Sequence, residues 1–164
     1  GQSATFPGLA LTAGPLTWSV GSWLQAAWAN RVPRARLVGA GLLIMSLGIV
    51  GIIVVVFPWA PLVLGIAAWG VAGLGIGLAY STLTLAVLDE APPGEQGAST
   101  AAMQLATMLG TALGTGVGGV VVAGAATPGA GIQIHAAAMI ALALLAAALA
   151  PRLGRGARGR PAAA

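Results

Sequence analysis

Asn30-Arg31-Val32-Pro33-Arg34-Ala35-Arg36 packs three arginines into seven residues of a 164-residue chain that holds only 7 basic and 3 acidic side chains. On each side runs a stretch of about 20 apolar residues. At about 1.5 Å per helical residue, either one is long enough to cross a hydrocarbon core of about 30 Å. An arginine at the centre of such a span costs about 2.5–3.5 kcal/mol on insertion scales. Three together belong in water or among headgroups. The stretch therefore reads as a short loop between two membrane helices, and the positive-inside rule turns it toward the cytoplasm.

Bulk composition leads to the same class. The chain is 58% hydrophobic and 6% charged, with a mean hydropathy of +0.95, whereas a soluble domain carries about 25% charged residues to keep its surface wet. The expected fold is all-α, a polytopic membrane helix bundle of about five transmembrane helices in contact with a lipid bilayer. With no cysteine there is neither a disulfide framework nor a thiolate metal site. The net charge of +4 does not point to nucleic acid. All the basic residues are arginines in two clusters, 31–36 and 152–160, each beside an apolar span, as membrane topology requires. Lysine is absent while alanine, glycine, proline and arginine abound, which points to a GC-rich bacterial genome; for a polytopic membrane protein the expected location is then the bacterial inner membrane. The chain opens on Gly1, and no basic region precedes its first apolar run. It is expected to be a piece of a longer protein.

In order, residues 1–8 read as a turn, with Thr5 as N-cap and Pro7 tolerated in a first helical turn. A first helix is expected over 9–29, kinked at Pro15, with Trp28 anchored at the interface. The second spans 37–57 and stops before Pro58 and Pro61. Its β-branched run 52–56 would suit a strand in water, but a lone strand in lipid leaves backbone groups unpaired. The third, 62–88, is about 27 residues long and must tilt or protrude. Its Gly70, Gly73 and Gly77 form a flattened packing face. Asp89 and Glu90 close it against the helix dipole, so a cationic partner is expected from the arginine loop. A Pro-Pro-Gly turn leads to a fourth helix, 98–124, where Gly110, Gly114 and Gly118 repeat at the spacing that lets helices approach closely in lipid. The fifth covers 133–150, and a basic tail, 151–164, is expected to be cytoplasmic and without ordered structure. Four crossings between the two arginine clusters place both on one side, together with the acidic 89–97 loop.

No constellation for catalysis is present, so no enzyme activity, cofactor or metal is expected. The single histidine, His135, falls near the outer end of the fifth helix and reads as solvated or interfacial. The helix interiors hold no ionisable residue. They hold instead uncharged polar and aromatic groups: Gln25, Trp69, Tyr80, Gln104, Thr107 and Thr111. Such groups can line a cavity for a largely apolar small-molecule substrate. The competing structural reading has the threonines bonded to their own i−4 carbonyls and the aromatics merely packed.

The segment 26–36, Ala-Ala-Trp-Ala-Asn-Arg-Val-Pro-Arg-Ala-Arg, resembles the G-x-L-x-D-R-x-G-R-[RK] cytoplasmic loop of the major facilitator superfamily, in its second, degenerate copy. Arg31 and Arg34 match its arginines; Ala26, Asn30 and Pro33 depart from its Gly, Asp and Gly. The turn 92–97 followed by Gln104 and the glycine repeat is similar to the family's junction between helices ten and eleven. The opening, with Gly8-Leu9 and Gly14-Pro15-Leu16-Thr17-Trp18, is similar to the drug:proton antiporter branch. The resemblance implies helices eight to twelve of a partial major facilitator fold whose N-terminal helix bundle lies elsewhere in the same chain. It further implies alternating access about a midplane site, a gating loop of Asn30, Arg31, Arg34, Arg36 and Asp89, and a proton as coupling ion. The expected function is efflux of small apolar or cationic compounds. The alternative is a non-transporting membrane scaffold whose glycine faces bind partner helices.

Overall fold

A computed structural model describes residues 5–61 and 63–152. They form five α-helices: α1 (Thr5–Trp28), α2 (Arg34–Val55), α3 (Val63–Glu90), α4 (Gln96–Gly124) and α5 (Pro128–Leu149), the last running into a 3₁₀ turn, Ala150–Arg152. The all-helical expectation holds. Four of these helices are long and apolar enough to cross a membrane. The exception is α1, whose 24 residues suffice in length but include Thr12, Thr17, Ser19, Ser22 and Gln25. The expected tail beyond Arg152 lies outside the described residues, as do residues 1–4 of the turn expected over 1–8; its residues 5–8 are helical instead.

Several boundaries move, each for a local reason. Pro7 sits in the first turn of α1, where its missing N–H costs nothing, and the helix already begins at Thr5. Arg34 and Arg36 belong to the first turn of α2 rather than to the loop. Asp89 and Glu90 complete the last turn of α3. The largest shift is at α5, which begins at Pro128, five residues before the expected Gln133. Thr127 caps it by accepting from the Ala130 N–H at 3.2 Å, and proline occupies the first helical position. Pro151 does not end helical structure abruptly; it falls within the 3₁₀ turn. Between α3 and α4, the Glu95 N–H returns to Pro92 O at 2.9 Å, closing a turn with Pro93 second and Gly94 third. Gly94 has φ +85°, as a type II turn demands there.

The bundle is organised around α3, and side-chain size explains why. Its Gly73 and Gly77 press on α1: a Cβ at Gly73 would stand 2.5 Å from Thr17 Oγ1, and one at Gly77 only 3.0 Å from the Gly21 Cα. Its other side meshes with α2. A Cβ at Gly41 would meet Ala79 N and Gly75 O at 2.7 Å, and one at Gly48 would meet Ala68 O at 2.7 Å. These contacts rise together in residue number for α1 and α3 and run opposite for α2 and α3. Thus α1 lies parallel to α3 and α2 antiparallel to it. The α2–α3 seam was not anticipated, although Gly41, Gly48 and Gly51 share one helical face.

Sorting by size is inverted relative to a water-soluble core. The buried apolar residues are mostly alanines (Ala68, Ala72, Ala79, Ala136, Ala143), while Leu16, Leu47, Leu109, Leu113 and Val120 are more than 60% exposed. Lipid offers leucine no reason to hide, so helices associate through small residues and display their large ones. This arrangement fits a multi-pass membrane protein. Phe57 stacks on Trp59 with centroids 6.1 Å apart beyond the end of α2, at the depth expected of interfacial aromatics.

At the opposite end of α2, Arg34 pairs with Asp89 across the α2–α3 seam. Each charge alone opposes its own helix dipole, a cation at an N-terminus and an anion at a C-terminus, and the pair offsets both. The side chains are 47% and 57% exposed, so the pair is worth about 0.2–1 kcal/mol. Arg34→Glu is expected to lower the unfolding midpoint modestly in detergent, and Arg34→Glu with Asp89→Arg to recover part of the loss. A double-mutant cycle with no coupling would show that the pair does not stabilise the bundle.

Candidate functional site

A chain of uncharged aromatic and polar contacts runs from α1 through α3 to α4. Trp18 of α1 and Tyr80 of α3 pack edge to face, centroids 5.8 Å apart at 70°, a geometry favoured by the ring quadrupoles. The Tyr80 hydroxyl donates to Gln104 Oε1 of α4 in a long hydrogen bond of 3.4 Å. One residue further along α3, Ser81 Oγ donates to Ser22 Oγ of α1 at 2.9 Å. These bonds register α3 against both neighbours.

Beside this cluster lies an apolar groove of about 120 Å³ between α1 and α3, lined by Gly14, Pro15, Trp18, Trp69, Ala72, Gly73 and Ile76. Gly14 makes the groove possible, since a Cβ there would lie 2.5 Å from the Trp69 Nε1. Pro15 removes a backbone donor from the same turn. Nearby, Thr17 Oγ1 donates to Ala13 O and Gly14 O at 2.9 and 3.1 Å, and Ser19 Oγ to Pro15 O at 3.1 Å. Trp69 and Tyr80 are separated by three turns of α3, about 16 Å along the axis, with the groove between them.

Of the six expected cavity residues, the structure brings Tyr80 and Gln104 into contact, sets Trp69 at the far end of the groove, and leaves Thr107 and Thr111 one and two turns beyond Gln104 on the same face of α4. Thr107 donates to Met103 O and Thr111 to Thr107 O, each at 2.9 Å, so the i−4 bonding weighed against the cavity reading is present. Gln25 departs from the expectation: it is 4% exposed and closed within the bundle, not on the open face. Trp18 was not singled out among the cavity residues. Its signal was a tryptophan four residues after Gly14 in mid-helix, away from the interfacial depth where indoles usually gather.

The remaining expected residues divide similarly. Asn30 lies in the loop after α1, and Arg31 donates its backbone N–H to Trp28 O at 2.9 Å. Arg31 and Arg36 are exposed, and among the described residues only Arg34 is ion-paired with Asp89. Gly70 stands 3.5 Å, measured from an added Cβ, from the Thr17 methyl, so with Gly73 and Gly77 it faces α1. Gly110 and Gly114 meet no neighbour among the described residues. A Cβ on either meets nothing within 4 Å, because no described helix covers that side of α4; only Gly118 is in close contact, with His135. His135 is itself a correction. The earlier start of α5 puts it seven residues inside, about 10 Å along the axis, half-buried, with Nδ1 buried and unpartnered. It is neither solvated nor terminal.

The chain is therefore a multi-pass helical membrane protein with an uncharged aromatic and polar face. Over 125 residues, 73% of its length, it is 34% identical to a protein of Mycobacterium tuberculosis strain H37Rv named as a probable multidrug-efflux transporter, and equally to that of strain CDC 1551 / Oshkosh. The chain spans 26% of the length of these relatives. No family model matches it, and no solved structure does.

Proposed function

We propose that the chain forms part of a secondary active transporter that exports small apolar or cationic compounds. The Trp18–Tyr80–Gln104 contact carries this reading: three helices converge on an aromatic ring, a hydroxyl and an amide beside an apolar groove, with no charge among them. Such a surface can hold an apolar body and orient it through a few polar contacts. The name of the mycobacterial relatives supports the same reading. In it the transporter belongs to the major facilitator superfamily and works by alternating access with a proton as coupling ion. It sits in a bacterial inner membrane with the arginine loop, the acidic turn and the C-terminus in the cytoplasm. An N-terminal helix bundle of the same protein faces α4.

Expression of the full-length protein, of which this chain forms part, in a drug-sensitive bacterial host tests this. The protein is expected to raise the tolerated concentration of several unrelated apolar or cationic drugs. Gln104→Ala and Trp69→Ala are expected to change the ranking of those drugs severalfold at unchanged membrane abundance. Equal tolerance with and without the protein would count against export. The open face at Gly110 and Gly114 favours one other reading, a scaffold subunit that binds a partner helix there. It requires Gly110→Leu and Gly114→Leu to abolish an association that Gln104→Ala leaves intact.

A further inference from the structure

Among the described residues the helices hold one side chain that titrates near neutral pH, His135, and an ionisable group inside a membrane span is rarely idle. The Nε2–Cε1 edge of its ring points at Gly118 of α4, 2.9 and 3.0 Å from where a Cβ would stand, and Nδ1 is buried without a partner. No counter-charge faces the ring. The whole of α4 is uncharged, and α5 carries no ionisable residue besides the histidine. On α2, which packs along another side of α5, Arg34 and Arg36 lie at the end away from Val56, the residue that meets Gly129 at the start of α5. The titratable residues of α3 are Tyr80, bonded to Gln104, and Asp89 and Glu90 in its last turn. Inward of His135 the two helices part. A Cβ at Gly114 meets nothing within 4 Å, and Leu142 and Leu145, on the side of α5 that carries Gly131 and His135, are exposed. There α4 leans on α3 instead, through Tyr80 and Gln104. Gln104, Thr107, Thr111 and Thr115 share the side of α4 that carries Gly118. The imidazole thus stands at one end of this polar side and the Tyr80–Gln104 contact at the other, about 21 Å away along the axis.

We infer that His135 is a proton-binding site whose occupancy is tied to the contact between α4 and α5. The inference rests on the transporter reading, because it supplies a titratable residue for the coupling ion. A hydronium ion entering the opening between the helices gives its proton to the lone pair of the ring and leaves as water. The ring becomes an imidazolium with an N–H at both nitrogens. In the closed seam that cation has no carboxylate opposite it, and its Nδ1–H has no acceptor. A buried charge without a partner is too costly to keep, so the protonated ring and the closed seam exclude one another. To hold the proton, α4 draws away from α5 far enough to admit water. Rising pH therefore favours the closed contact and falling pH the open one. Because α4 also carries Gln104, a proton bound at His135 moves one wall of the candidate drug site.

Spin labels on Met108→Cys and Leu145→Cys test it in the full-length protein, any other cysteine being replaced by serine. Both positions are exposed and lie equally far inward from Gly118 and from His135, so the distance between the labels follows the opening. In lipid nanodiscs it is expected to lengthen as the pH is lowered from about 8 to about 5, the range over which histidine titrates. His135→Gln and His135→Leu take up no proton there and are expected to keep, at both pH values, the distance that the histidine protein shows at the higher one. A distance that ignores pH in the histidine protein overturns the inference, as does a pH response that survives His135→Gln. In proteoliposomes, adding an exported drug is expected to move protons with the histidine protein and not with His135→Gln. Drug export that stays coupled to protons in His135→Gln removes the site and leaves the transporter reading standing. A distance that answers to pH through His135, in a protein that exports nothing, does the reverse.

Discussion

Gly75→Leu is expected to prevent α2 and α3 from packing, with a loss of folded protein larger than that from any surface change in the chain. A Cβ at Gly75 would stand 2.5 Å from Gly41 O and 2.8 Å from the Met45 Cα. Both are backbone atoms of a helix that cannot swing aside as a flexible side chain would. Overpacking a tight core costs about 1–3 kcal/mol when side chains can adjust; here the whole of α2 must retreat, so the cost should reach or pass the upper figure. The reciprocal approach at Gly41 and the similar one at Gly48 leave no direction in which α2 can slide to make room. Detergent-titrated unfolding followed by circular dichroism, or the fraction recovered as monodisperse protein, measures the effect. Gly110→Leu is the matched control. Its position is open, and a surface substitution of this kind changes stability by about 0.5 kcal/mol or less. Equal recovery of Gly75→Leu and the unaltered protein would show that α2 and α3 do not approach this closely.

The same glycines show where sequence reading succeeds and where it stops. Helix number and rough extent followed from hydropathy, because a span's length is set by the bilayer and by 1.5 Å per residue. Termini followed less well, since they depend on local caps. The Thr127-Pro128 start of α5 lies in a stretch of mixed polarity that reads as a loop when only apolar periodicity is followed. Pairing of helices was not legible at all from glycine spacing. Gly70, Gly73 and Gly77 pack against α1, while Gly110 and Gly114, with an equally regular repeat, face open space. A small-residue pattern states that a helix can be approached closely, not by which neighbour.

Within the candidate site, residue type announced Tyr80, Gln104 and Trp69, because a polar group in mid-span is costly unless it has a partner or a use, and Trp and Tyr away from the interfacial belt stand out. Contact between particular pairs required the register that the glycine seams set. Gln25 has the same chemistry as Gln104, yet it is enclosed while Gln104 is exposed. The difference lies in rotation of the parent helix, and one sequence without its neighbours does not contain that angle. Asp89 is the contrasting case. Its conflict with the dipole of its own helix was visible in the sequence, and electrostatics allowed few partners at that end; Arg34 is the one the structure supplies.

His135→Leu is expected to stabilise the bundle by about 1–2 kcal/mol, the reverse of what most substitutions at a helix contact do. The imidazole lies against Gly118 on α4, its Nε2 2.9 Å from where a Cβ would be, and its Nδ1 is buried without a hydrogen-bond partner. A buried polar atom left unsatisfied costs about 1–3 kcal/mol. Leucine removes that atom and fills similar space over the same glycine. His135→Gln is the informative companion, because it keeps a polar group in the seam and should give no gain. Reversible unfolding of the three proteins in one detergent measures the difference. If His135→Leu is instead less stable by 1 kcal/mol or more, Nδ1 has a partner in the protein as it operates in the membrane, and the seam is polar by construction. Should stability rise while drug export falls, the histidine is kept for transport at the expense of packing, as happens where function and stability compete for one position.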